Sequence, residues 1–185
     1  MKALFISGSP RKNGNTATII NAIGQGLKDK GFETKTVILS DFNIGYCVGC
    51  KSCYQTGNCV LQDDVASIAE EIFNSQLVIV ASPSYWGYVT AQLKTFIDRC
   101  TPFCDTNSER KLMAKGTKGV AVAIRAGINK AENQNLVNTI EHFLGHLNIP
   151  LVSSFTVEGI STANDLAQRD DILKNAYNFG NGLDV

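Results

Sequence analysis

The 185-residue chain lacks an excess of either charge: Lys+Arg and Asp+Glu both total 17, for a formal net charge of zero. Without a basic surplus, nucleic-acid binding driven by phosphate charge is excluded as the main activity. Long hydrophobic runs are missing too. None approaches the ~18 apolar residues of a membrane span, and the opening MKALFISGSPRK meets Gly8, Pro10 and two basic residues before its apolar run reaches signal-peptide length. Repeats, low-complexity tracts and linkers are also absent, so residues 1–185 are expected to form one cytoplasmic domain with neither a membrane nor a nucleic acid as partner. Six cysteines in such a chain read as thiols, metal ligands or redox centres, because the cytosol keeps thiols reduced.

What is present is alternation. Strand-length apolar runs at Ala3–Ser7, Glu33–Leu39, Leu77–Ser82, Val120–Ile124 and Leu151–Val157 alternate with stretches of helical period. Ile19, Ile20, Ile23 and Leu27 share one helical face, as do Val65, Ile68, Ile72 and Phe73, then Leu93, Phe96 and Ile97, then Leu136, Ile140, Phe143, Leu144 and Leu147. A last stripe runs through Leu166, Ile172, Leu173, Ala176 and Phe179. Five β-α units predict an α/β fold, a doubly wound five-stranded parallel sheet with helices on both faces. In such sheets ligands sit beyond the carboxyl ends of the strands, where the winding reverses. The non-periodic stretches Ser40–Asp63 and Thr101–Lys118 are expected to be loops, and loops of that length tend to be functional.

The first strand leads straight into Ser7-Gly8-Ser9-Pro10-Arg11-Lys12-Asn13-Gly14-Asn15-Thr16 and then a helix. Small, hydroxyl-bearing and basic residues thus collect where a helix start exposes unpaired N–H groups, a place to bind a phosphate. Five residues separate Gly8 from Gly14, and Asn15 stands before Thr16 where a P-loop carries lysine. The dinucleotide fingerprint fails as well, because Ser9 and Pro10 follow Gly8. A mononucleotide with a terminal phosphate fits better. After the third strand comes Ser82-Pro83-Ser84-Tyr85-Trp86-Gly87, an aromatic pair at a strand's carboxyl end, and after the fourth Arg125-Ala126-Gly127.

GSPRKNGNT after the first strand, ASPSYWG after the third and the five β-α units together resemble the flavodoxin-like NAD(P)H-dependent FMN reductases over nearly the whole chain. The resemblance implies strand order 2-1-3-4-5, with FMN at the reversal between strands one and three. It implies that Ser9, Arg11, Asn15 and Thr16 hold the FMN phosphate and that Pro83, Ser84, Tyr85, Trp86 and Gly87 lie along the isoalloxazine ring, where a π-surface and N–H donors suit a flat ring that gains negative charge on reduction. Relatives often carry a glycine pair after the fourth strand; here only Gly127 stands there, and Arg125 is either a surface arginine or a partner for a ligand phosphate.

Cys47-x2-Cys50-x2-Cys53-x5-Cys59 gathers four cysteines in a loop, with Gly49 and Gly57 for tight turns. The spacing lets a loop wrap one soft metal centre, although the ferredoxin run has x3 before its fourth cysteine and proline after it. The run resembles the compact motif of iron-sulfur flavoproteins, which places a [4Fe-4S] cluster on this fold and implies Cys47, Cys50, Cys53 and Cys59 as ligands. A four-thiolate zinc site, reducible disulfides and a vestigial loop remain open alternatives. His142 and His146 at i, i+4 lack an HExxH glutamate and read as exposed histidines; Cys100 and Cys104 read as structural thiols. The leading function is FMN-dependent oxidation of NAD(P)H with electrons passed to a small-molecule acceptor or redox protein, and no protein acid or base is required. A non-enzymatic electron carrier and a cysteine-based redox or metal sensor are the rival classes. The resemblance further implies a homodimer or homotetramer.

Overall fold

The computed structural model describes residues 1–184. The elements run β1 (Lys2–Ser7), α1 (Asn15–Asp29), β2 (Glu33–Ile38), α2 (Cys53–Thr56), α3 (Val65–Phe73), β3 (Leu77–Pro83), α4 (Ala91–Arg99), β4 (Lys118–Ile124), α5 (Lys130–His146), β5 (Leu151–Val157), α6 (Ala163–Ala167) and α7 (Asp170–Gly182). The strands form one all-parallel sheet in the order β2-β1-β3-β4-β5, with Ile6 beside Val37 on one side and Val80 on the other. The chain winds outward from β1 to β2 and then reverses across β1 to β3. This is the expected doubly wound order, and it puts the switch point between the carboxyl ends of β1 and β3.

Helices cover both faces because the strands alternate two apolar sets. Leu4, Ile6, Val78, Val80, Ala121 and Ala123 pack under α3, α4 and α5, while Phe5, Leu77, Ile79, Val120, Val122 and Ile124 pack under α1, α6 and α7. All seven residues of β3 are buried, and β1 and β4 nearly so, as suits strands shielded on both faces. The edge strands differ: β2 exposes Glu33, Lys35 and Thr36, with Lys35 bonded to Glu71 of α3 at 2.9 Å, and β5 alternates half-buried and exposed residues. Charge on an edge strand blocks further strand addition.

Two predicted boundaries change. The final stripe does not lie on one helix: α6 is set off by a capping box, with the Thr162 hydroxyl accepting the Asp165 N–H and the Asp165 carboxylate accepting the Thr162 N–H, and the chain turns at Arg169 before α7. The two long loops are also partly helical, with short 3-10 turns at Leu39–Asp41 and Thr101–Phe103 besides α2. Apolar residues at such short spans give too little periodicity to be seen in sequence.

Candidate functional site

The β1–α1 loop ends in a helix start that nothing caps. Gly14 takes the N-cap position and has no side chain to offer, and the first turn contains no acidic residue. The N–H groups of Asn15, Thr16 and Ala17 therefore face outward at the positive end of a 15-residue helix, which favours an anion. The loop is held from within: Ser9 Oγ accepts the Arg11 N–H at 3.2 Å, and the Gly14 N–H reaches Arg11 O at 3.3 Å. It is also held from the sheet, since the Gly8 N–H donates to Ala81 O at 2.8 Å and the Thr90 hydroxyl donates to Gly8 O at 2.6 Å. Ser9 and Thr16 are buried and Arg11 is exposed, without an ion pair among the described residues. The Asn15 side chain does structural work: its Nδ2 donates to Thr162 O at 3.0 Å, tying the loop to the start of α6. Of the four predicted phosphate residues, Arg11 and Thr16 have side chains without a hydrogen-bond partner among the described residues, the Ser9 hydroxyl bonds the Arg11 backbone, and Asn15 offers its backbone N–H.

Beside this loop, Ser84 to Tyr88 form a tight hairpin turn. Tyr85 and Tyr88 exchange backbone hydrogen bonds of 2.9 and 3.2 Å, and the two central residues, Trp86 and Gly87, have φ of 54° and 80°. Positive φ at both positions is the geometry of a type I′ turn; glycine adopts it freely, tryptophan at a cost of about 1 kcal/mol or more. The indole is fully exposed, with Tyr85 and Tyr88 exposed beside it. Ser84 is fixed by its N–H to Ile124 O at 2.7 Å, and Pro83 closes β3, so neither backbone is free to move. The N–H groups of Trp86 and Gly87 carry no hydrogen bond among the described residues and remain available as donors.

A cleft of about 540 Å³ lies along this turn, lined by Ser84, Trp86, Tyr88, Arg125, Gly127 and Glu132. Arg125 is not a solvated surface arginine. Its side chain is 10% exposed and paired with Glu132 at 2.9 Å, and it folds back so closely over Gly127 that a Cβ there would stand 3.1 Å from its guanidinium carbon. Gly127 makes room for Arg125, a packing reason for the single glycine.

The cysteine loop closes on itself. Cys47, Cys50, Cys53 and Cys59 all line one cavity of about 170 Å³, walled also by the apolar Val48, Val60, Leu61 and Pro102 and by Lys51, Asp98 and Arg99. Burial pushes the Cys53 thiol up, its own backbone pulls it down, and the neighbouring Cys59, Cys50 and Cys47 push it up further, so the four sulfurs feel one another. Among the described residues, no group of three or more His, Cys, Asp or Glu stands in ligating geometry. All six cysteines are free. Gly57, at φ 70°, ends α2 where a Cβ would meet Glu109 O at 2.2 Å, which locks the loop against the segment following α4. An all-sulfur donor set on a small apolar cavity fits a group held by thiolates, iron-sulfur or zinc.

Sequence reasoning missed residues beneath that loop and beneath the β1–α1 loop. Arg99 is 1% exposed and forks onto Asp63, and Thr90 caps α4 while gripping Gly8. One signal was present: Leu93, Phe96 and Cys100 make a buried stripe on α4, and Arg99 falls within it. A cavity of about 970 Å³ is a groove between α4 and α5 lined by Cys47, Tyr54, Cys104, His142 and His146. His146 pairs with Asp105 at 2.7 Å, and the two histidine rings meet edge to face at 4.6 Å. Cys100 is a buried structural thiol pushed far up by burial, but Cys104 is half-buried in the groove, 3.1 Å from the Thr106 hydroxyl.

A parallel sheet wound in both directions, with an uncapped helix start at the reversal, is the architecture of the flavodoxin-like proteins. Solved structures agree at the level of fold. A NAD(P)H:quinone oxidoreductase from Methanothermobacter marburgensis superposes with a TM-score of 0.75 at 16% identity, over 100% of this chain and 96% of that one. A flavone reductase superposes with a TM-score of 0.76 at 14% identity, over 98% and 61%. In sequence, residues 1–161 match the family of NADPH-dependent FMN reductases. An iron-sulfur flavoprotein of Archaeoglobus fulgidus is 41% identical over 132 residues, which span 71% of this chain and 58% of that protein. One of Methanocaldococcus jannaschii is 31% identical over 186 residues, 97% of this chain and 94% of the relative. The chain belongs to the NADPH-dependent FMN reductase family, in its iron-sulfur flavoprotein branch.

Proposed function

We propose that this chain is an FMN-dependent oxidoreductase that accepts hydride from NAD(P)H and passes electrons to a small-molecule acceptor or redox protein, with a [4Fe-4S] cluster on Cys47, Cys50, Cys53 and Cys59. The observation that carries the reading is the pairing of an open helix start with an aromatic hairpin at one switch point. Names of relatives support the cluster: three of the most similar ones are called iron-sulfur flavoproteins. When bound, FMN supplies hydride acceptance and both one- and two-electron states, and a cluster supplies one-electron transfer.

The protein's own part is binding, orientation and exclusion of water. The N–H groups of Asn15, Thr16 and Ala17, with Ser9 and the Arg11 and Thr16 side chains, would hold the phosphate dianion. With FMN bound, Tyr85, Trp86 and Tyr88 would offer apolar surface to the flat ring, and the free N–H groups of Trp86 and Gly87 would supply donors for the negative charge it gains on reduction. No side chain needs to carry a proton. The exposed Tyr46, Val48, Trp86 and Tyr88 suit burial against a second copy, hence a homodimer or homotetramer. Six free thiols suit the reducing cytoplasm.

Anaerobic purification followed by cofactor and metal analysis tests this. The expected product is yellow, contains about four irons per chain and bleaches with NADH or NADPH faster than free FMN does. Protein that takes up no FMN on reconstitution ends the reading. FMN uptake without nicotinamide-driven bleaching makes the chain an electron carrier, and about one zinc in place of iron makes the cysteine loop structural.

A further inference from the structure

The guanidinium under the cysteine loop touches both ends of that loop and one of its sulfurs. Arg99 Nη1 donates to Asp63 Oδ2 at 2.5 Å and to Gly45 O at 2.8 Å, and Nη2 donates to Asp63 Oδ1 at 3.0 Å and to Cys59 Sγ at 3.4 Å. Gly45 precedes the first cysteine of the motif and Asp63 follows the last. Asp63 also accepts the Gly45 N–H at 2.9 Å and the Val65 N–H at 3.3 Å, so the base of the loop closes around one ion pair. Both members are nearly sealed from water, Arg99 at 1% and Asp63 at 7% side-chain exposure.

Stability alone does not call for this arrangement. Replacing a buried ion pair with apolar residues of similar volume is often neutral or stabilising, because desolvating two charges offsets much of their attraction. A neutral thiol is also a weak acceptor for a guanidinium donor. The contact strengthens when the sulfur carries negative charge, as a metal-bound thiolate does. No cationic side chain is bonded to Cys47, Cys50 or Cys53 among the described residues, so the arrangement singles out Cys59.

We infer that Arg99 is a positioning residue of the metal site, whose Nη2–H donates to the Cys59 sulfur while that sulfur is a ligand and thereby raises the site's reduction potential. A hydrogen bond to a ligand sulfur withdraws electron density and favours the reduced, more negative state. Asp63 holds the fork in its plane and neutralises it, which lets a full cation lie in the interior. Lysine at this position satisfies Asp63 as a point charge but lacks the second arm for sulfur. The inference rests on the proposed cluster.

The test is potentiometry on anaerobically reconstituted protein, with iron, FMN and circular dichroism measured on each sample. Two variants are compared with the wild type: Arg99→Lys, and the charge-neutral pair Arg99→Met with Asp63→Asn, which leaves no unpaired buried charge. The expected result is a metal-centre midpoint potential more negative than wild type in both, at full iron content and with the flavin's potential unchanged. Wild-type potential at full iron content overturns the inference. Loss of iron from both variants, with FMN and fold intact, also overturns it and leaves Arg99 a clamp on the loop. Wild-type protein that holds no iron even after reconstitution fails the cluster reading itself, and the inference falls with it.

Discussion

At the scale of single residues, several groups of the candidate site have hydrogen bonds left unfinished by the fold. Arg11 shows this best, since it stands at the mouth of the β1–α1 loop with no ion-pair partner among the described residues while Lys12 beside it pairs with Asp41 at 2.6 Å. A charge-assisted bond to a phosphate contributes about 1.5–3 kcal/mol. Arg11→Ala is therefore expected to raise the FMN Kd by roughly tenfold to a hundredfold, and Lys12→Ala to leave it near wild type; fluorescence quenching of FMN on titration with apoprotein measures both. An unchanged Kd for Arg11→Ala removes it from the site. The candidate residues could be named from the sequence because loop chemistry is local: a small residue after a strand and a hydroxyl before a helix announce themselves. Asn15 was legible as a polar residue at a helix start, but its side-chain partner, Thr162, lies 147 residues away.

At the scale of elements, the position of α1 is fixed by a glycine contact that no periodicity reveals. A Cβ on Gly180 of α7 would stand 2.1 Å from Ile23 O, and one on Gly26 of α1 would stand 2.2 Å from Tyr177 O, so the two helices touch backbone to backbone. In an exposed helix, glycine to alanine gains about 1 kcal/mol. Here the obstacle is main chain, which cannot swing aside, and overpacking typically costs about 1–3 kcal/mol. Gly180→Ala should therefore destabilise by about 1–2 kcal/mol and lower Tm by several degrees, at ~2–4 °C per kcal/mol for a chain of this size. Differential scanning calorimetry decides it, and a raised Tm shows that α7 can slide. The same reasoning explains why the last helical stripe was read as one element: its apolar spacing continues, while the break lies in a capping box and a turn.

At the scale of the whole molecule, a net charge of zero conceals a set of carboxylates used by the fold. Burial alone would raise Asp63, but Arg99 and the Gly45 and Val65 N–H groups hold it below the ordinary aspartate value of 3.8. The His146 ring lowers Asp105, the Thr162 and Ser161 N–H groups lower Asp165, and Arg169 lowers Asp171. The sign follows from linkage. A carboxyl depressed in the folded state contributes stability that is fully present above the unfolded value of ~3.9 and is lost as pH falls through the folded value. The last three are solvent-exposed and screened by salt, so Asp63 dominates. The urea midpoint should hold between pH 7 and 5 and drop below pH 4, and Asp63→Asn should flatten that drop. A midpoint independent of pH down to 3 contradicts the assignment.

The sequence by itself determined the layered architecture, the order of elements and the loops that carry the site. These depend on short-range facts: apolar runs of strand length, stripes at helical spacing, and glycine, serine and cysteine clusters at strand ends. The three buried central strands were distinguishable from the edge strand β2 for the same reason, since Glu33 and Lys35 interrupt its apolar run. Only the tertiary structure decided what closes the cysteine loop and what Arg125 does. Arg99 meets Asp63 from 36 positions away and Cys59 from 40, and an arginine in a sequence looks alike whether it is solvated or sealed. Long-range polar pairing leaves no period in the chain, because the partner is set by how helices dock on the sheet and not by neighbours along the backbone.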